Sequence, residues 1–439
     1  MESKVIEDLG KYDRTLKIRE KQLAALCFLL NGDDVLLNVP VGYGKSLVYH
    51  LLPELLKTES NTTPVVIVVS PLNIIQKDQL ATLAAHNIPA CRFNIKTKID
   101  EASEGGQVYE VDSDIGLDMV INGQFQIVFC HPEALLNTKD GQNLLDNDSF
   151  RSHVVAVVID ECHLLEKWGE EFRKAFKKLG SLKVFFPNIP FAALSGTLTA
   201  VEKKGLPTKL NMDNCKLVEA SPDRDNIFFT KMKKTSSREV LEEYEHVVLP
   251  ICDKLCELKE NFPVTLLFIP VYYMSETVMY LKGEFSNNNI HDSLYSAICA
   301  GQDQYIIDYT IAELRKPEPK IRLVLTTSIA GIGFDPRNVT RVIHACPPRN
   351  LSQYLQEVGR AGRQGQPSKA TFHYSNRDIA RNLPGIQDDI IMYCNNTTEC
   401  LRNKLLGEFG FKKDDKICGC SCCSVCSVTC SCDECGNKK

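Results

Sequence analysis

The run VPVGYGKS, residues 39–46, ends in a lysine and a serine behind two glycines. Gly42 and Gly44 allow backbone amides to face an anion. Lys45 can then reach the β- and γ-phosphates of a nucleotide, and Ser46 can ligate Mg²⁺ from a helix N-terminus. Val39 stands where such a loop usually has its first glycine, and a tight turn that contains GKS is the plain alternative. Further along, DECH (160–163) closes the apolar run VVAVVI. Asp160 is placed to hold Mg²⁺ through water and Glu161 to polarise an attacking water. His163 is close enough to sense the γ-phosphate and pass its state on. A surface acidic pair would explain the string alone, but not its pairing with a phosphate loop upstream. The third run is QEVGRAGRQG, residues 356–365, which brings Gln356, Arg360 and Arg363 into the candidate set. Two arginines three apart lie on adjacent turns and can reach across a cleft. Phosphoryl transfer needs positive charge at the γ-phosphate, and such an arginine can contribute about 10³–10⁵ in rate. Alone, the run would read as a basic surface turn.

These residues need elements to hold them. Short runs rich in valine and isoleucine end in turn residues: 35–40, 65–71, 127–132, 154–161 and 191–197, then 264–270, 321–327 and 339–348. Few of them alternate apolar with polar, which predicts parallel strands covered on both faces. Helical patterns lie between, as at 45–57 and 74–86. Strand–helix alternation occurs twice, so the expected architecture is two α/β domains with parallel sheets, joined around 205–225. The expected boundaries are 1–210, 211–385 and a small C-terminal module over 386–439.

Composition narrows the class. A chain of 439 residues is too long for one core. Its net charge of −5 gives no global basic footprint, so any nucleic-acid partner is held by local patches or an oriented groove. No apolar run approaches the roughly 20 residues of a membrane span. The polar start MESKVIEDLGKYDRTLK is no secretory signal. An intracellular protein is expected, and a nuclear one if the source is eukaryotic. Of 19 cysteines, nine are scattered over 27–346 and read as small core residues, while ten fall between Cys394 and Cys435.

Taken in order, the motifs closely resemble those of RecQ-type DNA helicases of superfamily two, from about residue 16 to 426. IREKQ (18–22) resembles that family's adenine-recognition motif, with Arg19 and Gln22 in the matching places. VVSPLNIIQKDQ (68–79) and SGTLTA (195–200) resemble its next motifs, and 326–365 the signature of its second domain. The resemblance implies two RecA-like domains, with Arg360 and Arg363 completing the ATP site. It also implies an aromatic-rich loop after DECH that touches single-stranded DNA. LLEKWGEEF occupies that place, with Trp168, the single tryptophan, and Phe172 as the aromatics. A Trp packed as core or lid is the alternative. Glu170 and Glu171 stand where the family usually has His-Asp, and two carboxylates repel a phosphate chain. Thr15, Cys299 and Pro336 also depart from the pattern, at positions that bear on substrate handling.

CLRNKLLGEFG (400–410) resembles the helix that opens the family's zinc module. ICGCSCCSVC then supplies Cys420, Cys423 and Cys426 at spacings of three, which with Cys400 can close a tetrahedral Cys₄ zinc site. Cys418 and Cys422 compete for the same role. Cys430, Cys432 and Cys435 are surplus, either as reactive thiols or as ligands of a second metal. The implied cofactors are ATP, Mg²⁺ and Zn²⁺, and the implied partner is single-stranded and partly duplex DNA, with no membrane. Chains of this type commonly continue into a winged helix and an HRDC domain, so a short form is expected here. The implied activity is 3′–5′ ATP-dependent DNA unwinding or translocation. An ATP-gated DNA-binding factor and an RNA helicase remain the alternatives.

Overall fold

Uninterrupted apolar runs become strands buried along their whole length: β1 (Val35–Asn38), β2 (Val65–Val69), β5 (Ile127–Cys130) and β7 (Phe191–Ser195) have no exposed position. The computed structural model describes residues 5–7, 17–59, 63–71, 73–99, 107–112, 115–166, 178–288, 290, 292–299, 301–327 and 336–432. Within these the first sheet also holds β3 (Ala90–Ile99), β4 (Gln107–Asp112), β6 (Val154–Ile159) and β8 (Lys216–Glu219), in the order β4-β3-β5-β2-β6-β7-β1-β8. Only β3 and β4 pair antiparallel; the other pairs are parallel. Alternate residues of β2 feed separate cores, Val65, Ile67 and Val69 in one and Val66 and Val68 in the other. Each face of the sheet is therefore covered, as a parallel sheet requires. Helices at Lys45–Leu55 and Asn73–Ala85 fall where their patterns place them.

The second sheet is built from β9 (Ile227–Lys233), β10 (Thr265–Phe268), β11 (Tyr295–Ile298), β12 (Leu323–Thr326), β13 (Arg341–His344) and β14 (Ser368–Tyr374). Its order is β11-β12-β10-β13-β14-β9, parallel throughout. Alternation again divides the core: Leu266 and Phe268 face one cluster, Leu267 the other.

The two compact units are Met1–Ser221 and Pro222–Lys439. The division falls later than the expected 210/211 because β8 pairs with β1, Lys216 opposite Val35, and so belongs to the first sheet. The C-terminal module is not a separate body either. Leu401, Leu405, Phe409, Cys422 and Cys423 share one core with Phe229, Ala370 and Phe372 of the second sheet. Cys423 forms a parallel bridge with Phe229, and Ser424 N–H donates to Phe229 O at 2.8 Å. Among the described residues no helix is long and apolar enough to cross a membrane.

Candidate functional site

In the first unit β6, β7 and β1 are neighbours, so their carboxyl ends lie side by side. Crevices at the carboxyl ends of parallel strands are where such sheets take ligands. The loop 39–44 leaves β1 there and enters the helix Lys45–Leu55. Gly42 (φ 83°) and Gly44 (φ 88°) occupy the left-handed region that only glycine takes at low cost, and Gly44 caps the helix. Lys45 and Ser46 thus sit in its first turn, where unpaired N–H groups and the helix dipole favour an anion.

Arg19 and Gln22 grip this loop from below. Gln22 donates through Nε2 to Tyr43 O (3.1 Å) and Gly44 O (2.8 Å), and its Oε1 accepts from the Arg19 N–H at 2.8 Å. The Arg19 guanidinium donates to Gly42 O at 3.2 Å and lies 4.9 Å from the Tyr43 ring centre. The expected adenine-binding pair therefore also fixes the phosphate loop. Thr15, which replaces the aromatic that in the resembled family would stack on adenine, and the nearby Tyr12 lie outside the described residues.

DECH follows β6. Asp160 is buried, and Glu161 takes a strained positive φ of 49° while its N–H donates to Asp160 Oδ1 at 2.9 Å. Burial, then the charge of Glu161, pushes the Asp160 carboxyl up to about 7, with Lys45 opposing. Two crowded carboxylates beside a helix N-terminal serine are hard oxygen donors short of positive charge, which fits Mg²⁺. His163, 3% exposed, has Nδ1 3.2 Å from both Glu161 Oε2 and Ser195 Oγ. Ser195 ends β7, and its Oγ accepts from Thr197 N–H at 3.3 Å. A Cβ at the next residue, Gly196, would stand 3.2 Å from Val39 O and 3.4 Å from Lys45 Nζ. SGTLTA is thus in touch with both phosphate loop and DECH. The motif was legible in the sequence; the Ser195–His163 contact was not. Trp168 and Phe172, like Glu170 and Glu171, lie outside the described residues.

In the second unit Gln356 lies in the helix Leu351–Val358, and Arg360 and Arg363 follow it, Arg360 buried and Arg363 half-buried. Arg363 Nε donates to Gly359 O at 3.3 Å. Residues no motif announced hold this loop. Arg224 donates to Ala361 O at 3.1 Å, and Asn226 donates to Gly362 O and Gln366 O, both at 2.8 Å. Arg402, fully buried, in turn pairs with Asp223 at 2.5 Å and donates to Arg224 O at 2.7 Å and to Ile227 O. The cysteine module thereby anchors the segment that anchors the arginine loop. Arg402→Ala takes the buried guanidinium away from the Asp223 carboxylate and from the carbonyls of Arg224 and Ile227. It is expected to cost about 3–5 kcal/mol, read as a lowered urea midpoint of the second unit. Arg402→Lys is expected to recover little, because an ammonium cannot reproduce the planar fork.

The cysteines correct one expectation. Cys400, Cys422, Cys423 and Cys426 place their sulfurs within 4.8 Å of one another, while Cys420 groups with Cys430 and Cys432. The reason is local. Gly419–Cys422 is one short helical turn, and two residues along it point to opposite sides. The buried Cys422 joins the core-side group, and the half-buried Cys420 faces away. Within the first group Cys400 Sγ lies 3.5 Å from Cys422 Sγ and 4.0 Å from Cys423 Sγ. Contacts with the Cys400 and Cys422 sulfurs and the N–H groups of Cys426 and Leu401 hold Cys423 well below the usual thiol range, while Cys422 and Cys426 in the same group are pushed up. The Asn403 N–H reaches Cys400 Sγ at 3.5 Å. Four converging sulfurs with N–H donors aimed at them fit a zinc ion, whose thiolate ligands are stabilised by such outer bonds.

A DEAD/DEAH box helicase model matches residues 19–204, and a helicase conserved C-terminal domain model matches residues 249–365. The fold is similar to that of the DNA-bound DUF1998 helicase MrfA. That likeness has a TM-score of 0.62 at 16% identity and covers 84% of this chain and 50% of that one. Fold and matched domains define a two-domain DEAD/DEAH-box helicase. Within that class the chain is similar to RecQ-type helicases. The ATP-dependent helicase SGS1 of Saccharomyces cerevisiae is 26% identical over 92% of this chain and 27% of its own length. The RecQ-like DNA helicase BLM of Xenopus laevis is 27% identical over 90% of this chain and 28% of its own length. The chain thus spans less than a third of the length of these two relatives.

Proposed function

We propose that this chain is an ATP-dependent DNA helicase or translocase that moves 3′ to 5′ on single-stranded DNA, in repair, recombination or replication. The observation that carries the ATPase part is the meeting of the phosphate loop, DECH and SGT at the carboxyl ends of β1, β6 and β7. The amides of the 42–46 loop and Lys45 bind the β- and γ-phosphates. Ser46 and Asp160 would hold Mg²⁺, which would neutralise charge on those phosphates. Glu161 orients the attacking water and accepts its proton as the bond to the γ-phosphorus forms. The β–γ bridging bond breaks and ADP leaves. Arg360 and Arg363 carry the kind of positive charge that such a transition state needs, and Gln356 lies in the helix before them. His163 meets both Glu161 and Ser195 through Nδ1, so loss of the γ-phosphate is felt in SGTLTA. The polarity, the DNA substrate and, for a eukaryotic source, work in the nucleus rest on similarity to RecQ-type helicases and on motif resemblance.

Trp168 tests the coupling. Stacking of one base on an aromatic ring is worth about 1–3 kcal/mol and tolerates any sequence. Trp168→Ala is expected to leave turnover without DNA near the parent value. It should raise the single-stranded DNA concentration for half-maximal stimulation about 5- to 150-fold, the equivalent of that energy. Steady-state ATP hydrolysis titrated with DNA and, in parallel, RNA oligonucleotides reads both. Unchanged stimulation by DNA would give Trp168 a packing role, and equal stimulation by RNA would move the chain to the RNA helicases.

A further inference from the structure

The zinc set of the module leaves a second group of sulfurs beside it. Cys420, Cys430 and Cys432 all lie within 4.8 Å of one another, and Cys420 Sγ and Cys432 Sγ are 3.4 Å apart. That is far beyond the roughly 2.05 Å of a disulfide. It is close to the spacing of about 3.8 Å that two sulfurs take around one tetrahedral ion with bonds of about 2.3 Å. We infer that Cys420, Cys430 and Cys432 form a second thiolate metal site, separate from Cys400/Cys422/Cys423/Cys426, and that the chain carries two zinc ions rather than one.

The geometry between the two groups supports a built arrangement. Gly419 lies where they meet: a Cβ there would be 2.8 Å from Cys426 O, 3.0 Å from Cys430 Cβ and 3.1 Å from Cys430 Sγ. Only a residue without a side chain lets the turn carrying Cys420 and Cys422 approach both partners. That turn then sends Cys422 to the core-side group and Cys420 to the outer one. Backbone bonds fix its surroundings: Ser421 N–H donates to Cys418 O at 3.2 Å and Ser427 N–H to Cys423 O at 2.9 Å. Three soft sulfur donors select zinc or Cu(I) over hard cations. All three cysteines are half-buried, so the fourth position of a zinc ion is open to water or an exogenous ligand. Each thiol that binds releases its proton to solvent, so occupancy rises with pH. The outer ion clips residues 430–432 back onto the turn at 419–422, and it has fewer protein ligands than the inner one.

The full chain is purified under reductant without chelator, freed of loosely held metal by gel filtration, and assayed for zinc by elemental analysis. Two zinc ions per chain are expected. The double variant Cys430→Ser/Cys432→Ser should hold one, and Cys422→Ser should hold the outer ion while losing the inner. Titration of metal-free wild-type chain with Co²⁺ gives a second readout that does not depend on how any variant folds. Sulfur-to-cobalt charge-transfer absorbance should rise in two phases, four thiolates and then three. One zinc per chain with a single cobalt phase would overturn the inference. So would a second zinc retained by the double variant, or a Cys420–Cys432 disulfide found by mass spectrometry in protein holding one zinc. None of these readouts depends on ATP turnover or DNA, so they stand or fall apart from the helicase reading.

Discussion

Lys45→Ala is expected to lower ATP turnover by at least about 10³-fold, equivalent to roughly 4 kcal/mol of lost transition-state stabilisation. The size follows from position. Lys45 opens the helix Lys45–Leu55, directly after a left-handed glycine, with its ammonium beside Gly196. It is also the cation that opposes the crowding of Asp160 and Glu161. Removing it takes charge from the phosphates and from the buried carboxylates together. The fold should survive, because the core of this face is made by Val48, Tyr49, Leu51 and Leu52 on the same helix and not by Lys45. Single-turnover hydrolysis, with a thermal melt of the same preparation, separates the two effects. Near-parental turnover in well-folded Lys45→Ala protein would remove the phosphate role of the loop.

Cys422→Ser should have the largest effect on the second unit, and Cys420→Ser a much smaller one. Structural zinc in small modules contributes about 10–16 kcal/mol of apparent binding energy. Cys422 is buried among the four converging sulfurs and within the core that Leu401, Leu405 and Phe409 share with Phe229 and Phe372. Its loss should release the inner zinc and leave the chain beyond Cys400 open to protease. Cys420→Ser should keep that ion and that protection. Elemental analysis and limited proteolysis of the two variants check this, and the reverse ranking would restore the ligand set expected from spacing.

The contrast shows what a linear reading holds. Strands β2, β5 and β6 stand out because a strand covered on both faces needs an unbroken apolar run. The hairpin of β3 and β4 did not, because ACRFNIKTKI mixes charge into its apolar positions. Strands β9 and β14 were hidden by half-covered alternation, as in SKATFHY. The phosphate loop and DECH were legible because their chemistry needs neighbouring residues on one turn. Ser195 against His163 joins positions 32 apart, and Arg402 against Ile227 joins positions 175 apart; neither leaves a local pattern. Cys420 and Cys422 differ by two places on one turn, and only the core packed against Cys422 decides between them.

The most direct measurement is strand displacement on duplexes with a 3′ tail, a 5′ tail or blunt ends, with and without ATP, by the parent chain and by Glu161→Gln. The account predicts ATP-dependent separation of the 3′-tailed duplex, little on the other two, and none by Glu161→Gln, which should bind ATP without hydrolysing it. Failure to separate any duplex, together with ATP hydrolysis that single-stranded DNA does not stimulate, would contradict it.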